Sequence, residues 1–154
     1  EQLAKKMDVG FEEVVVKLKE NYDGYHFTYP SPDVYNPFSL LNAFADGKFN
    51  SYWFGSGTPT YLLKMLDKFN VEPSEIGRKQ AKVSAFDAPT ETMTAITPLL
   101  YQSGYITIKD YDKELDIYTL DIPNKEVRLG LMESLLPHYV ANNAEEANTM
   151  VAYL

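Results

Sequence analysis

Few residues of this chain combine a type and a spacing suited to metal chemistry. Its two histidines, His26 and His138, are far apart and form no His-x-x-x-His or Cys/His pattern of the kind that binds zinc. The chain has no cysteine, which excludes disulfides, thiolate metal sites and cysteine nucleophiles together. We therefore expect no metal site in this chain.

Serine and carboxylate chemistry is not indicated either. Gly55-Ser56-Gly57 lacks the Gly-x-Ser-x-Gly spacing of a nucleophile elbow and predicts a turn before a helix. The adjacent pairs Glu12-Glu13 and Glu145-Glu146 would diverge on helices, whereas an acid–base couple must face one substrate. None of the eight glycines opens a Gly-x-x-x-x-Gly-Lys-[Ser/Thr] loop for phosphate. We expect that the chain by itself is not an enzyme and holds no cofactor.

Composition and charge set the class of protein. A chain of 154 residues suits one ordinary domain or two small ones, and its 45% hydrophobic content with 12 Tyr and 8 Phe is typical of a folded globular protein. The 14 basic and 22 acidic side chains give a net charge of −8, which disfavours generic binding to nucleic acid. No apolar run approaches the roughly 20 residues of a membrane span. We expect a cytoplasmic protein without a membrane partner, and the missing initiator Met suggests an excised fragment.

The first half of the chain is predicted to be helical. Phe11 to Tyr22 carries apolar residues at helical spacing, which predicts an amphipathic helix with Asp8 near its start. Asn36-Pro37 predicts a second helix, with Asn as the N-cap and Pro in the first turn, and Gly47 predicts its end. Thr58-Pro59 repeats this pattern and predicts a third helix that ends near residue 69.

The second half mixes strands and helices. Gln80 to Phe86 alternates weakly and predicts an edge strand, and a helix is predicted from near Thr90 to Ser103, kinked at Pro98. Residues 105–120 form two β-branched and aromatic runs around a polar turn, which predicts a hairpin. Pro123-Asn124 ends this hairpin and caps the next helix.

These elements together predict a mixed α+β fold that is mostly helical. The last strong helix runs from Lys125 to about Val140, bent or ended early at Pro137. We predict a helical lid-like region over residues 1–72, a winged-helix-like region with a β-hairpin over 78–141, and a further helix or linker over 142–154. The boundary falls where the chain turns polar, between residues 71 and 77.

Three aromatic blocks occur in a distinctive order in the first half. They are Asn21-Tyr22-Asp23-Gly24-Tyr25-His26-Phe27, Val34-Tyr35-Asn36-Pro37-Phe38-Ser39-Leu40-Leu41 and Tyr52-Trp53-Phe54-Gly55-Ser56-Gly57-Thr58-Pro59-Thr60-Tyr61-Leu62-Leu63. Two further sequence blocks of the same resemblance follow at Leu99 to Ile108 and at Tyr118 to Arg128. In this order the blocks resemble the bacterial AAA-ATPase-like proteins. Members of that family carry a P-loop ATPase core ahead of these blocks and often a PD-(D/E)XK nuclease-like domain behind them.

The resemblance implies that this chain is the part of such an ATPase that follows the P-loop core. ATP and Mg²⁺ would be bound in the parent protein by that core, with which this chain would pack, and a nuclease-like domain would be a further partner. The implied role is non-catalytic: a lid and winged-helix region that couples the nucleotide state to an output domain.

Gly57-Thr58-Pro59, at a predicted helix start, resembles the Gly-x-Pro motif of the STAND signalling ATPases, where the Pro packs on adenine. Gly permits close backbone approach, Pro offers a flat apolar face without an N–H, and a helix N-terminus tolerates phosphate charge. The resemblance therefore implies Gly57, Thr58 and Pro59 as nucleotide contacts. A plain Thr-Pro helix start explains the same tripeptide.

The block around Asp23 and His26 allows two interpretations. Either residue could face the ATPase core as a sensor of the γ-phosphate, by the same resemblance. Alternatively, the aromatics join the first helix to the next, and Asp23 makes a local hydrogen bond in the Asp-Gly turn. In both cases we expect Tyr25 to Tyr29 to be a short extended piece that ends in a turn at Pro30-Ser31-Pro32.

A competing hypothesis makes the chain an aromatic-rich protein-interaction module that contacts no nucleotide. Aromatic side chains are enriched at protein interfaces. The candidates for such a surface, which we expect to be exposed, are Tyr25, Tyr35, Tyr52 and Trp53.

A winged helix also raises the question of DNA binding. The presumed recognition helix, Glu91 to Ser103, contains no Lys or Arg, although these residues dominate phosphate and base contacts. The hairpin sets Lys109 and Lys113 beside three acidic residues. Direct DNA binding is therefore disfavoured, and a packing or regulatory use is the better prediction.

Overall fold

The computed structural model describes residues 1–55 and 60–140. Over these ranges the fold is mixed α and β and mostly helical, with a small antiparallel sheet, which confirms the predicted fold class. The helices and strands, in chain order, are α1 (Gln2–Met7), α2 (Phe11–Tyr22), α3 (Pro37–Asp46), α4 (Tyr52–Gly55), α5 (Thr60–Phe69), β1 (Lys79–Ala81), α6 (Val83–Phe86), α7 (Thr97–Gln102), β2 (Thr107–Asp112), β3 (Ile117–Asp121) and α8 (Lys125–Val140).

Helix α2 occupies the predicted range and buries Val14, Leu18 and Tyr22 of the predicted apolar face, whereas Phe11 at its start is exposed. Asp8 lies near the start of α2, as predicted, but it does not cap this helix. Asp8 ends the preceding helix α1 in a left-handed conformation, with φ of 54°, and Gly10 is the N-cap of α2. Helix α1 spans only six residues and was not predicted, because so short a segment shows little periodicity.

Helix α3 begins and ends where its local signals place it. The Asn36 side-chain oxygen accepts hydrogen bonds from the backbone N–H groups of Phe38, at 3.1 Å, and Ser39, at 3.3 Å. Gly47 follows the helix with φ of 69°, a conformation that favours glycine. The predicted helix start at Thr58-Pro59 lies outside the described residues, whereas the end of α5 at Phe69 agrees with the prediction.

The predicted hairpin is present as β2 and β3. The sheet has the order β1-β3-β2, so β1 is an edge strand, and all pairs are antiparallel. The predicted edge strand over Gln80 to Phe86 is correct only at its start, because residues 83–86 form helix α6.

The predicted long helix from Thr90 to Ser103 was wrong in extent. A 3₁₀ turn covers Thr90–Thr92, and α7 begins only at Thr97. Pro98 therefore lies in the first turn of α7, where a missing N–H costs no hydrogen bond, and no kink results.

Helix α8 spans the predicted range, from Lys125 to Val140, and the alternative in which it ends early at Pro137 is wrong. The Asn124 side-chain oxygen accepts a hydrogen bond from the Val127 N–H at 3.1 Å, as an N-cap does. The helix continues to Val140 with Pro137 inside it. The further helix or linker predicted over 142–154 lies outside the described residues.

The buried side chains form two clusters. The N-terminal core consists of Leu3, Ala4, Val14, Leu18, Tyr22 and Ala43. The C-terminal core consists of Leu62, Leu66, Ile76, Phe86, Ile96, Leu99, Leu100, Ile106, Ile108, Leu120, Ile122, Val127, Leu131 and Leu135. Helix α5 thus packs into the C-terminal core although it precedes residue 72. The division into 1–72 and 78–141 stays a prediction.

Within the described ranges, no helix has both the length and the apolar character that crossing a membrane requires.

Candidate functional site

A cavity of about 660 Å³ opens between the loop after α2, the start of α3, helix α4 and the turn that joins α7 to β2. We call it the aromatic pocket, since five aromatic rings contribute to its mostly apolar wall. Its lining residues are Tyr25, His26, Phe27, Val34, Tyr35, Asn36, Pro37, Trp53, Tyr101, Gln102, Ser103, Gly104, Ile106 and Thr107. The three aromatic blocks of the first half and the later block from Leu99 to Ile108 therefore meet at one place.

Backbone hydrogen bonds bring the two N-terminal blocks of the wall together. Tyr25 and Val34 exchange N–H···O=C bonds of 3.1 and 3.0 Å across the intervening turn. On the opposite side, the chain leaves α7 through Gly104, whose φ of 78° favours glycine. These two turns set the width of the pocket.

Tyr25, Tyr35 and Trp53, three of the four residues of the predicted interaction surface, line the aromatic pocket. They are half-buried, so the expectation of exposed rings was wrong, because Tyr25 and Trp53 pack against the C-terminal core and Tyr35 packs against the N-terminal core. Tyr52 does not belong to the group. Its ring lies 6.3 Å from that of Tyr22 on the N-terminal core, and its hydroxyl donates to the Lys48 carbonyl at 3.2 Å.

His26 lies at the wall, but its polar atoms are engaged within the protein. Its backbone N–H donates to Thr107 Oγ1 at 2.8 Å, and the Thr107 hydroxyl lies 2.8 Å from the His26 carbonyl. The ring Nε2 lies 2.7 Å from Asp33 Oδ1, and Nδ1 lies 3.0 Å from Ser31 Oγ. This geometry agrees with the structural interpretation of His26, because every nitrogen that a phosphate would need already has a partner.

Ser31, His26 and Asp33 are the residue types of a hydrolytic triad, and sequence reasoning missed their convergence. In such triads the serine and the acid lie on opposite ring nitrogens, Nε2 and Nδ1 respectively. Here the serine lies on Nδ1 and the aspartate on Nε2, which is the reverse order. Ser31 Oγ also lies 2.8 Å from the Thr28 carbonyl. The three side chains therefore fasten the turn that carries Pro30 and Pro32.

Asp23 is buried, with 7% of its surface exposed, and it does not line the aromatic pocket. Its carbonyl accepts a hydrogen bond from Asn124 Nδ2 at 3.0 Å, while one carboxylate oxygen has no hydrogen-bond partner among the described residues. Burial, followed by this neighbouring carboxylate, raises the pKa of Tyr35. Asp23 thus influences the pocket through Tyr35.

Glu126 is the residue behind the pocket that sequence reasoning missed. Only 1% of it is exposed, and its Oε1 accepts hydrogen bonds from the Trp53 backbone N–H and the Ser39 hydroxyl, both at 2.8 Å. Its Oε2 has no partner among the described residues. Burial raises the pKa of Glu126, and the hydrogen bonds oppose this only in part. Nothing in the sequence separates this carboxylate from an exposed glutamate in the first turn of a helix.

The Glu126 carboxylate and a ring cluster together hold Trp53 at the wall. The Trp53 ring lies 5.3 Å from that of Tyr105 and 5.1 Å from that of Phe54. Phe54 in turn packs closely over Gly130 of α8, where a side chain would overlap the ring. The orientation of Trp53 therefore depends on α8 as much as on its own short helix.

Gly57, Thr58 and Pro59, the predicted nucleotide contacts, lie outside the described residues. The described residues that line the pocket include no Lys or Arg. Within residues 1–55 and 60–140, no group of three or more metal-ligating side chains converges. The geometry thus offers contact area to an uncharged group more than it offers charge to a phosphate.

Comparison with known proteins gives one informative similarity. The chain is 36% identical over 133 residues to an uncharacterized protein encoded in the vnfD 5′ region of Azotobacter chroococcum mcd 1. The match covers 83% of this chain and 25% of the relative, so the chain spans about a quarter of the length of the curated relative it matches. No family model and no solved structure matches the chain.

Proposed function

We propose that this chain is a non-catalytic docking region of a larger ATPase-like protein and that it works by receiving an apolar or aromatic side chain in the aromatic pocket. The observation that carries the proposal is the convergence of Tyr25, Tyr35 and Trp53 on one open cavity. Aromatic walls around a cavity are the usual setting for the anchor side chains of an interface.

Several polar atoms in the wall are already engaged within the protein, which favours a side chain over a nucleotide. Asn36 Oδ1 caps α3, and Gln102 Nε2 donates to the Ala88 carbonyl at 2.6 Å. His26 and Thr107 satisfy each other. A nucleobase would need free donors and acceptors at its edge, whereas an apolar side chain gains from contact area alone.

The wider setting follows from the resemblance to the AAA-ATPase-like proteins. In that setting the P-loop core of the same polypeptide binds ATP and Mg²⁺ and is the first partner of this region, and a nuclease-like domain is the second. The region would act in the cytoplasm and would pass the state of the core to the output domain by docking and release.

An NMR titration of the chain tests the proposal. Indole and N-acetylphenylalanine amide represent aromatic side chains, and adenosine and Mg-ATP represent nucleotides. We expect the aromatic probes to cause saturable shifts at Trp53, Gly104 and Thr107, with none at Leu18 in the N-terminal core. Uniform small shifts, or no shift at Trp53, would contradict the proposal.

A lid over nucleotide is the second candidate function, and one observation favours it. A volume of about 660 Å³ falls within the range of small-molecule sites, and Trp53 lies four residues before Gly57 in the sequence. In this function the pocket would contact only the base, and the phosphates would be held by the P-loop core. Saturable shifts with adenosine and not with the aromatic amide would support the lid and overturn the docking proposal.

A further inference from the structure

A second cavity adjoins the aromatic pocket. It measures about 230 Å³ and lies between the loop after α2, helices α6 and α7 and the sheet. Its lining residues are Phe27, Thr28, Val83, Phe86, Asp87, Tyr101, Ile108 and Tyr118. Phe27 and Tyr101 belong to both linings, so the two cavities form one groove divided at these rings.

One of the two rings that divide the cavities, Phe27, is exposed to solvent. Phe27 has 74% of its surface exposed, the highest exposure among the large apolar residues of the described chain. Val83, on the far wall of the second cavity, is 45% exposed. Large apolar side chains left open beside a cavity mark surfaces that become covered in a complex.

The surface of the second cavity is mostly polar, and it adds a charge preference that the aromatic pocket lacks. Asp87 lines it and lies close enough to Tyr101 that, after burial, this carboxylate is the next cause that raises the Tyr101 pKa. The described linings of both cavities contain no Lys or Arg to neutralise Asp87. An occupant of the groove would therefore gain by placing a cation at Asp87.

We propose that the groove binds a peptide segment that places one bulky apolar side chain in the aromatic pocket and a Lys or Arg in the second cavity, where its charge pairs with Asp87. This inference rests on the proposed docking function and extends it from a pocket to a partner of defined chemistry. The net charge of −8 steers a basic segment toward the chain over longer range.

Selection from a random dodecapeptide library, with the whole chain as bait, tests the partner chemistry without assuming any particular peptide sequence. We expect enriched peptides to share a large apolar residue and at least one Lys or Arg. Failure to enrich any peptide above a blank surface would overturn the inference, and so would enriched peptides without a cation.

Two pairs of variants locate the binding. Phe27→Ala removes the dividing ring, and we expect it to weaken an enriched peptide about tenfold or more, as loss of an aromatic anchor does. Phe11→Ala removes another exposed phenylalanine, on α2, and should change nothing. Asp87→Asn should weaken binding several-fold and reduce its salt dependence. Asp8→Asn makes the same charge change at an exposed position of the first helices, and it should change neither the affinity for the peptide nor its salt dependence.

Trp53 fluorescence separates failure of this inference from failure of the docking function. Some peptides could alter Trp53 emission and bind the Asp87→Asn variant as tightly as the native chain. Such peptides would occupy the aromatic pocket alone, so the docking function would stand and the two-cavity partner would be wrong. Peptides that leave Trp53 emission unchanged and bind the Phe27→Ala variant as tightly as the native chain would contradict both the docking function and the two-cavity partner.

Discussion

At the scale of single residues, the polar side chains around the aromatic pocket serve the fold before they serve a ligand. His26 ties the loop after α2 to Thr107 of β2, and Asp23 accepts a bond from Asn124 through its carbonyl. Glu126 differs from them, because burial raises the pKa of its carboxylate and this carboxylate accepts a hydrogen bond from the Trp53 backbone N–H. Residues with such perturbed ionisation often lie near functional sites.

Glu126→Gln should change how stability depends on pH. Burial raises the folded-state pKa of Glu126 above the ordinary glutamate value of 4.5. Its stabilising contribution is therefore fully present below the unfolded value and is lost as the pH rises through the folded value. Gln is neutral throughout and its oxygen can still accept from Trp53, so we expect the variant to be more stable than the native chain at neutral pH.

Urea unfolding across mildly acidic to neutral pH measures this effect. The advantage of Glu126→Gln should disappear in acid. Glu133→Gln, at an exposed position of the same helix, is the control and should leave the shape of the profile unchanged. A Glu126→Gln variant that is less stable than the native chain at every pH would show that the charge itself supports the fold.

At the scale of elements, local signals in the sequence place several boundaries correctly. Asn36-Pro37 starts α3, Gly47 ends it and Asn124 starts α8, because each signal acts within one turn of its own position. The extent of α7 and the existence of α1 were missed. Both helices span six residues and are stabilised by packing rather than by their own pattern.

Asn36→Ala should destabilise the chain by about 0.5–2 kcal/mol, since the N–H groups of Phe38 and Ser39 lose their acceptor. Chemical denaturation measures the loss. Asn36→Ser keeps a capping oxygen and should retain most of the stability. Equal losses in both variants would mean that the Asn36 contact with the pocket, and not its cap, is what stabilises the protein.

Gly130→Ala should destabilise the packing of α4 on α8. A methyl group at this position would overlap the Phe54 ring, so we expect a loss of about 1–3 kcal/mol. The higher helix propensity of alanine, about 1 kcal/mol, offsets only part of this loss.

A double-mutant cycle with Phe54→Ala measures the overlap directly. In that background the ring is absent, and Gly130→Ala should be neutral or stabilising. A loss of the same size in both backgrounds would mean that Phe54 is not the obstacle.

At the scale of the whole molecule, contacts distant in sequence join the two cores. Lys109 Nζ donates to the carbonyls of Gly24, at 2.7 Å, and Pro123, at 3.1 Å, and so links the loop after α2 to the sheet and to α8. Burial lowers the Lys109 pKa, although neighbouring aspartates oppose the shift. Because the aromatic pocket lies at this junction, its shape depends on both cores.

Leu66→Ala tests whether α5 is stabilised by packing in the C-terminal core. Leu66 is 1% exposed within the C-terminal core, and we expect a loss of about 2–5 kcal/mol together with faster amide exchange at Leu120 and Leu131. Leu18→Ala, in the N-terminal core, should speed exchange first in α2 and α3. Faster exchange confined to residues before 72 in the Leu66→Ala variant would instead support a boundary at that position.

The sequence alone determined the fold class, the caps of α3 and α8 and the hairpin. These features follow from residue type and from spacing within a few turns. The winged-helix and ATPase interpretations stay predictions that rest on resemblance. Only the tertiary structure decided that Tyr25, Tyr35 and Trp53 share a cavity while Tyr52 does not, and that Glu126 is buried behind it. Packing between segments up to 101 residues apart produces these arrangements, and no local pattern encodes which distant side chains will meet.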